Sequence, residues 1–184
     1  MKVCAIIAEY NPFHNGHKYQ IQQARKKTGA DIVLAIMSGN FVQRGGAAIV
    51  SAQERAKMAI LGGADIVIQL PTVFSTLSAE HFAYGAVKTL NSLPIQYLCF
   101  GAEDDNLQNL QTLANFLKQP TAQYTTALQE HLSQGHSYPF AVREALKNAL
   151  TSGTIYNTTQ AIDTKLAQTL TAIIEKPKCP RRQP

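Results

Sequence analysis

Two hydrophobic patterns alternate along the first 100 residues. Short runs of β-branched and other apolar residues predict strands over 3–10, 31–37, 65–70 and 95–101. Between these runs, apolar residues recur at helical spacing, which predicts helices over 17–27, 52–62 and 79–93. Strands that alternate with helices form a mostly parallel sheet with helices on both faces. The predicted fold class of this part is therefore α/β.

An internal repeat supports this alternation of strands and helices. The segment GADIVLAI (29–36) returns as GADIVIQL (63–70), 34 residues later. A period of this length is also typical of helical solenoids, but each copy has the form of a helix stop followed by a buried strand. Ligands of such sheets bind at the carboxyl ends of the strands. The candidate segments are therefore EYNPFHNGH, MSGNFVQRGG, QLPTVF and FGAEDD.

The pattern changes after residue 105. Helical periodicity predicts further helices, and no strand, over 106–119, 121–135, 138–153 and 162–175. The chain ends in EKPKCPRRQP, which has three prolines and no periodicity. We predict an α/β domain over 1–105, a helical segment over 106–175 and a disordered basic tail over 176–184.

Charge and cysteine content bear on the partners and the cellular compartment of the protein. The net charge is +5, but four of the 17 basic residues lie in 176–184, which leaves 13 basic against 12 acidic residues elsewhere. This near-neutral body shows no recognisable RNA-binding module. Three scattered cysteines are too few for a disulfide framework, so we expect a cytoplasmic protein. No apolar run approaches the ~20 residues that a membrane span needs.

The stretch HNGH carries the most specific chemistry. If a helix begins at Asn15 or Gly16, then His14 lies just outside it and His17 lies in its first turn. Unpaired N–H groups and the positive end of the helix dipole favour an anion there, and Gly16 allows a close approach. A phosphate site is the favoured interpretation. A metal site, for which two histidines are too few ligands, and simple helix capping are the alternatives.

These residues also carry a resemblance. HNGH after a first strand resembles the HxGH motif of the nucleotidyltransferase superfamily. Five blocks in order resemble the bacterial tRNA(Met) cytidine acetate ligase family: AEYNPFHNGH, MSGNFVQRGGAA, ERAKMAILGGADIVIQLP, SAEHFAYGAV and FGAEDD. The resemblance implies a Rossmann-like parallel sheet with HxGH nucleotidyltransferase topology. It also implies an enzyme that activates acetate with ATP and acetylates N4 of the wobble cytidine of elongator tRNA(Met).

The resemblance implies a set of site residues. His14 and His17 would be catalytic, holding the phosphates and stabilising charge on the transferring and leaving groups. The implied ATP contacts are Gly101 and all of 7–20, namely Ile7, Ala8, Glu9, Tyr10, Asn11, Pro12, Phe13, His14, Asn15, Gly16, His17, Lys18, Tyr19 and Gln20. Mg²⁺ is expected with ATP, and no dedicated metal site is predicted. The acidic run Glu103, Asp104 and Asp105 either helps to hold Mg²⁺ or begins a helix.

Other residues carry weaker predictions. Ser38, Gly39 and Asn40 follow the second strand and are predicted to form a ligand-facing loop. Gln43 and Arg44 would meet a carboxylate, a phosphate or an RNA backbone, or else lie in a solvated loop. We expect surface or packing roles for Arg55 and Lys57 on their helix. His81 is expected to have a similar role.

Partners and alternatives follow from the same resemblance. Acetate and elongator tRNA(Met) are the expected partners, with neither DNA nor a membrane. The family carries a further nucleotide-binding segment that is not visible in IIEKPKCPRRQP, so we expect a truncated member. Two alternatives stay open: a small-molecule adenylyltransferase of the same superfamily, and an inactive truncated nucleotide-binding fragment.

Overall fold

A computed structural model describes residues 1–101 and 107–151, with side chains as far as 149. Two compact units divide the chain, and the first of them ends at Gly101. The predicted helix over 162–175, the tail over 176–184 and the acidic run at 103–105 lie outside the described residues.

The first unit is built on a four-stranded parallel sheet. Its strands are β1 (Val3–Ala8), β2 (Ile32–Ser38), β3 (Ile66–Leu70) and β4 (Tyr97–Cys99), in the spatial order β3-β2-β1-β4. This confirms the predicted α/β fold class. The first strand ends two residues earlier than predicted. Tyr10 adopts a φ of 52°, and the carbonyl of Glu9 accepts a side-chain hydrogen bond from Arg55, so the strand ladder stops at Ala8.

Helices cover the sheet on both faces, as predicted. The long ones are α1 (Asn15–Thr28), α2 (Ala52–Leu61) and α4 (Ala79–Asn91). Two short elements were not predicted, because three or four residues carry no measurable periodicity. They are a 3₁₀ turn over Gln43–Gly45 and helix α3 (Thr72–Ser75).

The serines that precede α2 and α4 act differently at the N-termini of their helices. Ser51 Oγ accepts the N–H of Glu54 at 3.3 Å, but the Glu54 carboxylate pairs with Lys57 and does not complete the capping box. Ser78 occupies the N-cap position of α4 without capping it through its side chain, because its Oγ lies 2.9 Å from His81 Nδ1.

Alternate side chains of the strands fill two apolar layers. Cys4 and Ile6 of β1 pack in one core with residues of α1 and α2, including Ile21 and Ala59. The neighbouring β1 residues point the opposite way, into a second core that includes Phe82, Ala86 and Leu90 of α4. Because β1 is central and buried on both faces, its sequence is a continuous apolar run.

The order of the strands creates a crevice. From β1 the chain winds to β2 and then β3 on one side, and it returns to place β4 on the other side of β1. Ligands of open α/β sheets bind at such a reversal, outside the carboxyl ends of the two strands. In this chain the reversal lies between β1 and β4, so a ligand is expected between the end of β1 and Gly101.

The second unit is helical in its described part, in agreement with the pattern after residue 105. Helices α5 (Leu107–Lys118), α6 (Ala122–Ser133) and α7 (Tyr138–Thr151) contribute to one apolar core, which includes Leu113, Tyr124 and Leu146. Within the described parts of both units, no helix combines the length and apolarity needed to cross a bilayer.

Gly85→Ala tests the packing of α3 against α4. Alanine normally favours a helix interior by about 1 kcal/mol over glycine. At Gly85 an added Cβ would lie 2.5 Å from Phe74 Cβ, so we expect a net loss of about 1–3 kcal/mol in the free energy of unfolding. Urea denaturation measures this.

Gly46→Ala is the matched control. Its φ is −65°, and an added Cβ would lie 3.6 Å from Val42 Cγ2, which is ordinary contact. We expect its unfolding free energy to change by less than about 0.5 kcal/mol. A stabilised Gly85→Ala protein would show that Phe74 moves aside freely.

Candidate functional site

The first turn of α1 is built around two histidines. His14 is the N-cap residue, and its Nδ1 accepts the N–H of Gly16 at 3.1 Å. His17 Nδ1 accepts the N–H of His14 at 3.3 Å, and the two rings stack with centroids 3.7 Å apart. The helix-capping interpretation therefore describes what both Nδ1 atoms do.

Capping also fixes the protonation of both rings. A neutral imidazole carries its proton on one nitrogen, and an Nδ1 that accepts a hydrogen bond carries none. The proton of each neutral ring is thus on Nε2, which becomes a hydrogen-bond donor. Capping and ligand binding are compatible in this geometry, because they use different nitrogens.

The environment of His17 keeps it neutral. Its ring packs edge-on against Tyr10 at 4.9 Å between centroids and lies 5.6 Å from the Phe13 centroid. Burial, with a smaller contribution from neighbouring His14, lowers the pKa of His17 to about 4. At neutral pH, His17 therefore offers an uncharged Nε2–H group.

Arg55 holds together the strand ends beside these histidines. Its side chain is fully buried on α2 and donates to four carbonyl groups. Nη1 donates to Glu9 O at 2.6 Å and Ser38 O at 3.1 Å, Nη2 donates to Gly39 O, and Nε donates to Val50 O at 2.9 Å. One guanidinium thus joins the carboxyl ends of β1 and β2 to the segment that leads into α2.

Side chains of the same region connect the loop over 39–50 to β1 and α2. The Glu9 carboxylate accepts the N–H of Gln43 at 3.1 Å. Asn11 Oδ1 accepts the N–H of Ile49 at 2.8 Å, and Asn40 Oδ1 accepts the N–H of Ala52 at 2.8 Å. Each of these polar side chains accepts a hydrogen bond from the backbone, so the loop is held against the end of β1 and the start of α2.

The structure gathers most of the predicted site residues at one edge of the sheet. Ala8 ends β1 and Glu9 and Asn11 follow it, and the loop after β2 lies beside them through the contacts of Arg55 and Asn11. Gly101 lies two residues beyond Cys99, whose register partner on β1 is Ile6. Among the described residues, nothing beyond its chain neighbours lies within 4 Å of the place where a Gly101 Cβ would stand.

The exposure of the predicted residues varies widely. Tyr10, Ser38 and Gly39 are buried, Ile7 packs at the margin of the α4-side core, and Phe13, Gln20 and Gln43 are half-buried. The exposed members are Pro12, His14, Asn15, Gly16, Lys18, Tyr19, Asn40, Arg44 and Gly101. Tyr10 therefore contributes to this edge through its packing against His17 rather than by facing solvent. Among the described residues, no three His, Cys, Asp or Glu side chains gather as a metal site would need.

Comparison with known proteins places this geometry in a family. The family model of the HIGH nucleotidyl transferases matches residues 1–175. The chain belongs to this family. The resemblance carried by HNGH is thereby confirmed.

Curated relatives within the family are similar to the chain over most of its length. It is 49% identical over 148 residues to the tRNA(Met) cytidine acetate ligase of Acetivibrio thermocellus. This alignment covers 80% of this chain and 36% of the relative. It is 44% identical to the Thermoanaerobacter enzyme of the same name over 168 residues, or 91% of this chain and 42% of the relative. The chain thus spans about two fifths or less of these relatives.

Solved structures of a protein from Thermotoga maritima are also similar to this chain. The chain is similar to Thermotoga maritima TmcAL bound with alpha-thio ATP, with a TM-score of 0.82 and 35% sequence identity. That match covers 95% of this chain and 44% of the other. The apo form of the same protein matches with a TM-score of 0.80 at 34% identity, over 95% of this chain and 43% of the other.

Two supports of the candidate site were not predicted from sequence. Arg55 was assigned a surface or packing role, and it proves to be a buried clamp. The signal was available, because Ala52, Arg55 and Ala59 follow helical spacing on the buried stripe of α2. The second support is the packing of Phe13, named above only as an ATP contact, against the end of α2. Its Cε1 would lie 2.8 Å from an added Gly62 Cβ.

The low pKa of His17 gives a test with a definite sign. An unfolded histidine titrates near pH 6.5, so between pH 6.5 and 4 the unfolded chain binds a proton that folded His17 does not. We expect the stability contributed by neutral His17 to fall as the pH drops through this range. His17→Gln should show a shallower decline in urea midpoint. A His17 ring titration near pH 6.5, followed by NMR, would contradict this.

Arg55→Lys tests the clamp. A lysine has one nitrogen with three donors and cannot match a fork that reaches four carbonyls. We expect a loss of about 3 kcal/mol in unfolding free energy, because buried acceptors lose their donors. Lys57→Met removes an exposed charge from the same helix and should cost less than about 0.5 kcal/mol. Equal losses for the two variants in urea denaturation would refute the clamp.

Proposed function

We propose that this chain provides the acetate-activating site of a tRNA(Met) cytidine acetate ligase. In this proposal, ATP and acetate form acetyl-adenylate with release of pyrophosphate. The acetyl group then passes to N4 of the wobble cytidine of elongator tRNA(Met). A cytoplasmic location is part of the proposal.

The observation that carries the proposal is the pair of Nε2–H donors at the N-terminus of α1. They lie at the positive end of the helix dipole, which favours phosphate oxygens. They also lie beside the crevice where the strand order reverses. The name of the curated relatives and the alpha-thio ATP bound to Thermotoga maritima TmcAL support the choice of substrates.

The nucleotide is proposed to lie across the end of β1, between segment 7–20 and Gly101. The open backbone at Gly101 would let it approach without a side chain in the way. His14 and His17 would donate to phosphate oxygens, and Mg²⁺ is proposed to arrive with the triphosphate. Of the loop residues, Arg44 is the exposed cation, and we assign it to the carboxylate or to a phosphate.

In the first step, an acetate oxygen attacks the α-phosphorus and forms a P–O bond. The bond from that phosphorus to the bridging oxygen breaks, and pyrophosphate leaves with the electron pair. Neutral His17 suits this step, because its donor gains strength as negative charge develops on the leaving group. In the second step, the cytosine N4 amine attacks the acetyl carbonyl carbon, AMP leaves, and the amine loses a proton.

A second candidate has a specific observation in its favour. This candidate is a nucleotide-binding fragment that binds ATP without turning it over. The observation is that the chain spans only 36% and 42% of two ligases that it resembles. A small-molecule adenylyltransferase is the remaining alternative. It would use an acceptor other than acetate.

Exchange of labelled pyrophosphate into ATP separates these functions. Acetate-dependent exchange by this chain supports the proposal, and exchange that needs another acid or a cofactor precursor refutes it. ATP binding without exchange supports the fragment alternative. We expect His17→Ala to reduce acetate-dependent exchange by ~10²-fold, which is typical for loss of a transition-state donor. His81→Ala, on α4, should leave the rate unchanged.

A further inference from the structure

A basic groove begins beside the histidine pair and follows α1 away from it. The groove has a volume of about 430 Å³ and runs between α1 and the turn that joins α2 to β3. Lys18, Gln22 and Lys26 line it at four-residue spacing, so they share one face of the helix. His14, four residues before Lys18, continues the same row toward the candidate site.

The charge of α1 is unbalanced in a way that overall composition conceals. The helix carries four basic residues, Lys18, Arg25, Lys26 and Lys27, and no acidic residue. Outside the C-terminal tail the chain has almost as many acids as bases, so this clustering was invisible to a charge count. The groove therefore concentrates positive charge on a nearly neutral body.

The four basic residues of α1 differ in their interaction partners. Arg25 is committed to structure, since it pairs with Asp65 at 2.5 Å and donates to the Gly63 carbonyl at 3.1 Å. Burial raises the pKa of the Cys99 thiol, and the charge of Lys27 opposes part of that rise. Lys18 and Lys26 have no hydrogen-bond or ion-pair partner in the described part of the chain, and both are exposed. These two ammonium groups are free to meet a ligand.

We propose that this groove binds the phosphodiester backbone of the tRNA substrate and guides it toward the histidine pair. Lys18 and Lys26 are eight residues apart, or ~12 Å along a helix. The groove is thus longer than a single phosphate cluster requires, and its amide and ammonium donors suit backbone oxygens rather than base edges.

This inference rests on the proposed function for the identity of the RNA, but it can be tested separately. The probe is a fluorescent transcript of elongator tRNA(Met), titrated with the full chain at several salt concentrations without ATP. Lys26→Gln should lower the slope of log K against log[salt] by ~0.7–0.9, or ~5–8-fold in affinity at 0.1 M salt. Lys26 lies outside the predicted ATP segment, so acetate-dependent pyrophosphate exchange should not change.

Lys88→Gln is the matched control. It removes the same charge from an exposed lysine on α4, which covers the opposite face of the sheet. An equal effect of the two substitutions on tRNA binding would overturn the proposal. So would the absence of tRNA binding by the unaltered chain at low salt. A raised KM for ATP in Lys26→Gln with unchanged tRNA binding would assign the groove to the nucleotide instead.

The two proposals fail in different ways. Loss of exchange activity with Lys26-dependent tRNA binding intact would reject the acetate chemistry and keep the groove. Acetate-dependent exchange with tRNA binding indifferent to Lys26 would reject the groove and keep the chemistry.

Discussion

The buried guanidinium of Arg55 is the interaction on which the geometry of the site depends. Parallel strands leave their last carbonyls without partners, and the chain here turns sharply after both β1 and β2. Arg55 donates hydrogen bonds to the carbonyls of Glu9, Ser38 and Gly39 at once. Burial lowers the pKa of this guanidinium, and the nearby Glu9 carboxylate opposes the shift, so the side chain remains a cation. Its charge strengthens each of the hydrogen bonds that it donates.

The protonation state of His17 in the first turn of α1 depends on this clamp. The clamp holds Glu9, and the chain that follows places Tyr10 and Phe13 against His17. The same packing that buries His17 keeps it neutral, while capping commits its Nδ1 and directs the donor to Nε2. An uncharged donor costs less to bury than an imidazolium ion. It still strengthens when negative charge develops in front of it.

Much of this could be predicted from sequence, for physical reasons. The buried strands are continuous apolar runs, so their order and type were visible, and HNGH identified the helix start that carries the histidines. The helical spacing of Ala52, Arg55 and Ala59 could have indicated that Arg55 is buried. Its clamp could not be predicted, because one arginine on this stripe does not reveal which carbonyls lie opposite. The α1 groove was missed for a related reason. It depends on how charges are distributed in space, whereas composition reports only their sum.

The central claim is that His14 and His17 face the triphosphate through Nε2–H groups while their Nδ1 atoms cap α1. Nitrogen NMR of side chains labelled with ¹⁵N-histidine, at neutral pH and with added ATP, tests this most directly. The account predicts that both rings are in the Nε2–H form before ATP is added. It also predicts that their Nε2 signals shift with ATP while those of His81 do not. Protonated Nδ1 atoms before ATP is added would contradict it, and so would the absence of any ATP-induced shift of the Nε2 signals of His14 and His17.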